Sequence, residues 1–444
     1  MVVKDQTHIV VLGAGFGGLA FCRHFRCPDA QITLVDRTNH HLFQPLLYQV
    51  ATAGLSAPEI AQPIRSIFSG RPDITVLMEP VSGVDVAQKK VSFAQSTLDY
   101  DYLVLALGGQ TSYFGHPEWE QFAPGLKTLD DALRIRSDVL LALERAETET
   151  DPAECSRLMT VVIVGGGPTG VELAGAFAEL ARTVLNRDFR HIDPTKARII
   201  LVEGAPRVLS HLPPDLSASA QRQLEHLGVQ VRTSSPVKNI RAGELELAGG
   251  EIIRAGNILW AAGVSATPLT KQLGVELDKA GRVKVNPDLS LPGHPEIFAI
   301  GDMALVLGAD GKPVPGVSPA AMQMGRYVAT LIAIEIGSAQ PLTRSSTTLS
   351  PSDGERDGVR GNSQRPTFKY WDKGTMATIG RSAAVAQIGR IKLSGYPAWL
   401  AWLFIHLIFL IGFRNRVAVL LQWTYAYFTY KRGARIITKP ENEV

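Results

Sequence analysis

Two stretches of the chain share one pattern of hydrophobic positions. In each, a continuous run of Val, Ile and Leu, at 9–12 and at 161–164, leads into a glycine-rich turn and then a helical segment. A second apolar run follows and ends at an acid, Asp36 in the first stretch and Glu203 in the second. Uninterrupted apolar runs are typical of parallel strands buried on both faces. The pattern therefore predicts an α/β fold with two Rossmann-type βαβ units.

The segments that follow vary this pattern. Apolar runs ending in small residues predict strands within 98–109, 256–268 and 295–304, each returning the chain to one of the two units. Residues 341–366 are rich in Ser, Gly, Arg and Asp and poor in large apolar side chains, so we expect an exposed, disordered insert. A strand-rich pattern resumes over 368–391.

The C-terminal segment is apolar and aromatic. Residues 396–413 carry no formal charge, and a helix of that length would span ~27 Å, just short of a hydrocarbon core. Hydropathy alone predicts a transmembrane helix. However, Gly412 and the polar residues 414–416 interrupt the run, and 417–432 is amphipathic and aromatic. We therefore favour a segment that lies in the membrane interface.

Charge supports the same interpretation. The chain has a net charge of +3, but from Tyr396 onward six Lys or Arg face two Glu, which leaves the rest near −1. A basic apolar tail on a near-neutral body favours an anionic lipid surface over nucleic acid. The run 9–12 is too short for a signal peptide, so we expect the protein on the cytoplasmic face of a cell inner membrane, bound peripherally.

Three cysteines argue against a disulfide framework. Cys22 and Cys27 have the spacing of a redox pair, but both are predicted in the helix after the first glycine-rich turn, on different faces, where a bridge is implausible. Cys155 stands alone in a polar linker. Adjacent His40 and His41 on an extended segment point to opposite faces, and we expect no metal site.

The glycines of the two turns have the spacing of a dinucleotide fingerprint. Gly13-x-Gly15-x-x-Gly18 follows a predicted strand and opens a helix, whose N-terminus would hold a pyrophosphate while Asp36 accepts a bond from a ribose hydroxyl. The second turn repeats the arrangement, with Glu203 as its acid. A carboxylate there repels a 2′-phosphate and favours NADH over NADPH, although Arg207 lies close in sequence and leaves NADPH open.

Two dinucleotide sites in one chain indicate that one nucleotide passes electrons to the other. We expect a resident flavin at the first turn and an exchanging nicotinamide at the second. Asp302 ends a predicted buried strand, where a short carboxylate can bond the hydroxyls of a flavin's ribityl chain; the alternative is a cap on the next helix.

Five segments now resemble one family. The chain is similar to the type II NADH:quinone oxidoreductases, single-subunit respiratory dehydrogenases that do not pump protons. The resemblance covers the chain apart from the polar insert. It rests on HHLFQPLLYQVATAGLSAPEIAQPIR (40–65), GGGPTGVELAGAFAEL (165–180), ILWAAGV (258–264), DKGTMATIGR (372–381) and AWLFIHLIFLIGFRNR (401–416).

The resemblance implies a set of site residues. FAD would be bound by Gly13, Gly15, Phe16, Gly17, Gly18, Asp36, Gln44, Pro45, Gly108, Asp302 and Ala320. NADH would be bound by Gly165, Gly167, Pro168, Thr169, Gly170, Glu203 and Gly263. The implied catalytic residues are Glu172, which would orient the nicotinamide or relay a proton, and Gln323, at the quinone site. For Glu172 the alternative is an acid placed in a helix's first turn by the dipole.

One position departs from the family pattern. The family carries an Ala-Gln pair and, after three intervening residues, a second Gln, which together line the quinone site. Here Ser318-Pro319 replaces the pair, while Gln323 matches the second Gln. Proline has neither a side-chain donor nor a backbone N–H, so any hydrogen bond of the missing Gln must come from another group.

The resemblance also implies domains and partners. The partners would be membrane lipid, membrane quinone and a second copy joined through the C-terminal region. The predicted domains are the FAD-binding domain in two parts (1–125 and 276–340), the NADH-binding domain (126–275), the polar insert (341–366) and C-terminal strands with membrane-anchoring amphipathic helices (367–444).

The predicted function is FAD-dependent, non-electrogenic oxidation of NADH with two-electron reduction of a membrane quinone to quinol. One alternative is a sulfide:quinone oxidoreductase, which would need redox cysteines near the flavin. Another is a non-catalytic, membrane-attached dinucleotide sensor, and a third is a flavoenzyme that reduces a soluble acceptor.

Overall fold

The described residues fall into two compact units. The computed structural model describes residues 6–185, 188–308, 310–338, 365–429 and 434–437. The first unit comprises Met1–His41, Pro63–Gly109 and Ser265–Trp371, and the second comprises Leu42–Gln62, Gln110–Val264 and Asp372–Val444. This division does not decide the predicted domain boundaries, which stay a prediction.

The α-helices vary from single turns to 21 residues. They are α1 (Phe16–His24), α2 (Leu47–Ala51), α3 (Ala57–Ile60), α4 (Ile64–Ile67), α5 (Leu129–Thr148), α6 (Pro152–Leu158), α7 (Pro168–Glu179), α8 (Pro214–His226), α9 (Ser318–Ser338), α10 (Tyr396–Phe409) and α11 (Phe413–Thr429).

The strands are short, and the longest has seven residues. They are β1 (Thr7–Leu12), β2 (Ala30–Asp36), β3 (His40–Leu42), β4 (Ala61–Pro63), β5 (Ile74–Met78), β6 (Gly83–Asp85), β7 (Lys90–Ser92), β8 (Thr97–Asp99), β9 (Tyr102–Leu105), β10 (Gly109–Thr111), β11 (Thr160–Val164), β12 (Arg198–Val202), β13 (Gln230–Arg232), β14 (Val237–Arg241), β15 (Glu244–Leu247), β16 (Ile252–Arg254), β17 (Asn257–Trp260), β18 (Val264–Ala266), β19 (Val283–Lys284), β20 (Ser290–Leu291), β21 (His294–Ala299), β22 (Ala304–Leu305), β23 (Thr375–Thr378), β24 (Ala384–Ile388) and β25 (Ile391–Ser394).

The first unit is built on a six-stranded sheet in the order β20-β21-β9-β1-β2-β5. Strand β1 pairs in parallel with β2 and β9, so that Ile9 lies between Ile32 and Tyr102. Residues 9–12 of β1 are fully buried, as a strand covered on both faces requires. The antiparallel β20 lies at one edge.

Helices α1 and α9 pack closely within this unit. A side chain at Gly325 of α9 would collide with the carbonyl oxygen of Gly17 in α1. These two glycines bring the backbones together, and Phe21 and Phe25 are buried at and just after the end of α1. The packing fixes α1, and with it the turn that precedes α1.

The second unit repeats this topology with the order β13-β12-β11-β17, all parallel. All five residues of β11 are buried. Both units thus place their first strand between the second and the fourth, the order of a Rossmann fold. The predicted α/β fold with two βαβ units is confirmed.

The C-terminal part of the second unit combines a three-stranded antiparallel sheet, β23-β24-β25, with α10 and α11. The break between the helices lies at 410–412, where Gly412 has φ 87°. Residues 414–416, which interrupt the apolar run, lie in the first turn of α11. Among the described residues, every helix is either too short or too polar to cross a bilayer.

Two other predictions, on the polar insert and on Cys27, can be compared with the structure. Residues 341–364 of the predicted insert lie outside the described residues. At its end, the Arg365 guanidinium bonds Glu335 (Nε to Oε1, 2.6 Å) and Asp288 (Nη1 to Oδ2, 3.0 Å). The placement of Cys27 in the first helix was wrong, because α1 ends at His24; Phe25, the residue after α1, already has extended φ/ψ.

Candidate active site

The first glycine-rich turn depends on close backbone approaches. Gly13 has φ 101°, and its N–H donates to the carbonyl of Val35 at 2.7 Å. A Cβ on Gly13 would collide with the carbonyl oxygen of Ala106, and one on Gly18 would collide with that of Gly13. A Cβ on Gly15, by contrast, would meet nothing within 4 Å. That open space at the N-terminus of α1 suits a pyrophosphate.

Asp36 closes this turn from the end of β2. Its Oδ2 accepts from the N–H of Ala14 at 2.7 Å, and its Oδ1 accepts from the N–H and the hydroxyl of Thr38, both at 2.8 Å. Oδ1 thus uses both of its lone pairs, whereas Oδ2, which accepts a single bond, keeps a second one. The carboxylate is therefore fixed beside the turn and still able to accept a ribose hydroxyl.

His41 belongs to the same cluster, and the sequence motifs did not assign it a role. Its Nδ1 lies 2.8 Å from the carbonyl oxygen of Ala14, and its ring meets Phe16 edge to face at 5.2 Å. Burial lowers the pKa of His41, so the neutral ring donates from Nδ1. Its Nε2 is buried and has no partner among the described residues. A buried acceptor beside the turn fits a ligand with hydroxyl or amine donors.

The other first-unit FAD candidates lie after neighbouring strands. Gly108 (φ 68°) follows β9, and Asp302 lies in a 3₁₀ turn, Gly301–Met303, after β21. Ala320 is buried in the first turn of α9. A Cβ on Gly17 would touch Ile300 and Ala321, so these segments meet near α1. Gln44 and Pro45 form a 3₁₀ turn assigned to the second unit.

The second turn reproduces the first. Gly165 has φ 110°, and a Cβ there would lie 2.7 Å from the carbonyl carbon of Ala261. Gly170 again approaches the carbonyl of Gly165, and the space beside Gly167 is open. Pro168 and Thr169 open α7, and Gly263 has φ 87° after β17. Proline costs no hydrogen bond at a helix's first position.

Glu203 takes the place that Asp36 has in the first unit. Its Oε2 accepts from the N–H of Gly166 at 2.5 Å and its Oε1 from that of Ala205 at 2.7 Å. The Nη1 of nearby Arg207 is buried without a partner among the described residues. A carboxylate is therefore fixed beside the second turn, with an arginine close in sequence.

Glu172 is buried in α7, with only 9% of its surface exposed. It is the fifth residue of the helix, so the alternative of a first-turn acid held by the helix dipole was wrong. The N–H of Thr378 donates to its Oε1 at 3.4 Å, and burial raises its pKa to about 8. Glu172 is therefore mostly protonated at neutral pH.

Gln323 uses its side chain to hold the backbone of Trp371. Its Nε2 donates to the Trp371 carbonyl and its Oε1 accepts from the Trp371 N–H, both at 3.0 Å. One amide N–H and one lone pair remain. Pro319 is the second residue of α9, where a missing N–H breaks no helical bond.

An aromatic cavity of about 110 Å³ lies within the second unit. Its walls include Tyr48, Gln49, Thr378, Trp402, Trp423 and Tyr427. The indole N–H of Trp423 donates to Gln49 Oε1 at 2.8 Å, and Gln49 Nε2 donates to the Tyr48 hydroxyl at 2.9 Å. The buried indole N–H of Trp402 has no partner among the described residues.

Thr378 connects this aromatic cavity to Glu172. Its backbone N–H bonds the carboxyl, and the residue also lines the cavity. The approach depends on Gly175, because a Cβ there would lie 2.9 Å from the N of Gly380. The sequence motifs could not locate this cavity, since its walls come from segments far apart in the chain.

His406 packs beside the same cavity. Its ring stacks on Trp402 at 4.3 Å and meets Phe43 edge to face, while its Nδ1 lies 2.8 Å from the Trp402 carbonyl. Burial lowers its pKa to about 4. The ring is therefore neutral at physiological pH and serves as a polar packing residue.

Comparisons with known proteins agree with this site. The family described as pyridine nucleotide-disulphide oxidoreductase matches residues 7–325, and the NDH2 C-terminal domain matches residues 372–431. The chain is 42% identical to the type II NADH:quinone oxidoreductase Ndh of Mycobacterium tuberculosis over 98% of this chain and 90% of that protein. The chain belongs to the type II NADH:quinone oxidoreductases.

Solved structures support the fold of this enzyme. NDH2 from Plasmodium falciparum, in complex with NADH, has a TM-score of 0.84 at 20% identity, covering 98% of this chain and all of that one. The sulfide:quinone oxidoreductase of Aquifex aeolicus has a TM-score of 0.67 at 19% identity, covering 96% of each chain. At these identities both comparisons concern the fold alone. The enzyme oxidises NADH and reduces a quinone, with FAD as the family's cofactor.

The cysteines give the sulfide alternative no support. All three are free, and Cys22 is fully buried in α1, where burial raises the pKa of its thiol. Reactive redox cysteines are exposed and have lowered pKa values. Cys22 is instead a packing residue.

Proposed function

We propose that the turn after β1 holds FAD and that the turn after β11 binds NADH, through the residues named above. The open space beside Gly15 and Gly167 and the free Nε2 of His41 support this assignment. FAD supplies the carrier that accepts a hydride from NADH and passes two electrons to the quinone. The predicted domain boundaries and the preference for NADH, which Glu203 supports, belong to this proposal.

Glu172 holds a proton for the reaction. The overall balance is NADH, a quinone and one proton giving NAD⁺ and quinol, so one proton must come from outside the hydride. Glu172 is buried and protonated at neutral pH, and its Oε1 faces the N–H of Thr378. We therefore place the transferable proton on Oε2. A raised pKa near the working pH is what a general acid requires.

The quinone is reduced in the aromatic cavity. The observation that carries this proposal is Thr378, which bonds Glu172 and lines the cavity at the same time. Flat aromatic walls suit a quinone ring, and the Trp402 indole N–H is a donor for a quinone carbonyl. Gln323, in the first unit, keeps one N–H and one lone pair, and its assignment to the quinone site stays a prediction.

A matched pair of substitutions tests the cavity. Leu403 lines it, whereas Leu400, one turn earlier on α10, is exposed. We expect Leu403→Trp to slow flavin reoxidation by a short-chain quinone at least about tenfold, with flavin reduction by NADH unchanged in stopped-flow absorbance. Leu400→Trp should change neither rate. Equal reoxidation in both variants would place quinone reduction elsewhere.

The C-terminal helices attach the enzyme to lipid. Both present exposed apolar side chains at helical spacing, including Leu400, Phe404 and Ile408 on α10 and Leu421, Tyr425 and Phe428 on α11. Helix α10 is apolar nearly throughout, and α11 begins with Arg414 and Arg416. An apolar surface with arginines beside it suits an anionic interface. The location is the cytoplasmic face of the inner membrane, attachment is peripheral, and turnover moves no charge across the bilayer. A second copy also binds through this region.

Vesicle flotation tests the lipid contact. Phe404 is 64% exposed, and Phe404→Glu should release most of the enzyme from vesicles that contain anionic lipid, because a carboxylate resists entry into the interface. Ile252, also exposed but on β16, provides the control Ile252→Glu, which should still float. If Phe404→Glu floats normally but sediments as a smaller species, this face binds a second copy rather than lipid.

A further inference from the structure

A second cavity in the second unit, which we call the arginine cavity, has no part in the reaction above. Its volume is about 260 Å³, and it lies between α5, the end of α6 and the edge strand β17. Its polar walls are formed by Gln121, Arg134, Asp138, Arg145, Arg157 and Asn257.

The arginine cavity is remote from the nucleotide turn of its own domain. Asn257 and Gly256 lie at the amino end of β17, whereas Ala261 and Ala262, which neighbour Gly165, lie beyond its carboxyl end. The four residues of β17 separate the two ends by roughly 10 Å. A ligand beside Asn257 would therefore lie at the opposite end of β17 from the turn.

The charge of the arginine cavity is positive. Arg157 is neutralised by Glu154, with Nε–Oε2 at 2.7 Å and Nη2–Oε1 at 2.5 Å, and its Nη1 donates to the Ala255 carbonyl. The Nε of Arg134 lies 3.7 Å from Asp138 Oδ2. Within the described part of the chain, the Arg145 guanidinium has neither an ion pair nor a hydrogen bond. Three guanidinium groups thus face two carboxylates, leaving one positive charge.

Asn257 is the second observation that points to a ligand. Its side chain is 9% exposed and lines the arginine cavity, yet its Nδ2 has no hydrogen-bond partner among the described residues. A buried amide without a partner costs about 1–3 kcal/mol. Nearly all such groups in folded proteins are satisfied by protein, water or ligand. An anionic oxygen would satisfy this donor.

The arginine cavity is open to solvent on one side, so its volume of about 260 Å³ indicates room for a small ligand without setting an upper size. We propose that the arginine cavity binds a small polyanion, with two or more phosphate or carboxylate groups, through Arg145, Arg134 and the Asn257 amide.

Calorimetric titration of the FAD-loaded enzyme tests this proposal. Glycine-rich turns also attract pyrophosphate, so saturating NAD⁺ is added first to fill the nicotinamide turn. Inorganic pyrophosphate and citrate are then titrated in separate arms, which distinguish a phosphate from a carboxylate ligand. We expect saturable binding of one of them at one site per chain.

Three variants locate the site. Arg145 is exposed on α5, so Arg145→Gln should fold normally and weaken binding at least about tenfold. Asn257→Asp, nearly isosteric, should weaken it further by placing a carboxylate against the anion. Arg222→Gln, an exposed arginine on α8, should bind as the wild type does. Absence of binding in both arms, or equal affinity in Arg145→Gln and Arg222→Gln, would overturn the proposal.

Discussion

The two glycine-rich turns are nearly the same as local structures but lead into helices with different surroundings. Gly13 and Gly165 share a left-handed φ, and Gly18 and Gly170 approach their carbonyls alike. Helix α1 packs on α9 and buries apolar residues, whereas α7 carries a buried acid, Glu172. In the assignment proposed above, the same turn serves retention of a cofactor in the first unit and chemistry in the second.

The largest expected effect comes from breaking each turn in the same way. Gly18→Ala should leave the purified enzyme without flavin, because the added methyl collides with the Gly13 carbonyl and opens the pyrophosphate site. Gly170→Ala makes the equivalent collision with Gly165 and should keep the flavin while abolishing its reduction by NADH. Flavin absorbance after gel filtration, before and after NADH, measures both.

This pair of variants separates the two turns. If Gly170→Ala loses the flavin and Gly18→Ala keeps it, the assignment of FAD and NADH is reversed. If both lose it while remaining folded by circular dichroism, the two turns do not act independently and the comparison between them fails.

The sequence predicted what depends on local spacing. Glycines and terminal acids within one βαβ unit lie within 40 residues of each other, and their geometry follows from the turn. The bond between Glu172 and Thr378 joins residues 206 positions apart, and no periodicity relates them. The free Nε2 of His41 and the indole N–H of Trp402 were missed for the same reason. Cys27 was misplaced because element ends are poorly marked by pattern.

The second prediction concerns Glu172, the buried acid of the second unit. Glu172→Gln keeps the shape of the side chain but has no proton to give, so quinone reduction should fall about 100-fold, with flavin reduction by NADH little changed. In the wild type the rate should fall as pH rises through about 8, since Glu172 is protonated below its raised pKa and ionised above it. The variant should lose that pH dependence.

Two further variants serve as controls for this experiment. Glu144→Gln, at an exposed position on α5, should keep both the rate and the pH profile of the wild type. Glu172→Asp should retain part of the rate, because a carboxylic acid is still present. An unaltered pH profile in Glu172→Gln would mean that the proton comes from another group, and Glu172 would then be only a buried packing residue.

The smallest effect is expected at Gln323, which lies in the first unit. Its amide makes two hydrogen bonds to the Trp371 backbone at a partly exposed position, so Gln323→Leu should lower the free energy of unfolding by about 1 kcal/mol. Gln323→Glu keeps the acceptor and loses the donor. Its melting temperature should therefore lie between those of the wild type and Gln323→Leu. The quinone KM should change by no more than about threefold, because the donor proposed for the quinone carbonyl is the Trp402 indole N–H. An unchanged melting temperature with a much higher KM would show that the Gln323 amide binds the quinone rather than stabilising the fold. Quinone chemistry would then not be confined to the second unit.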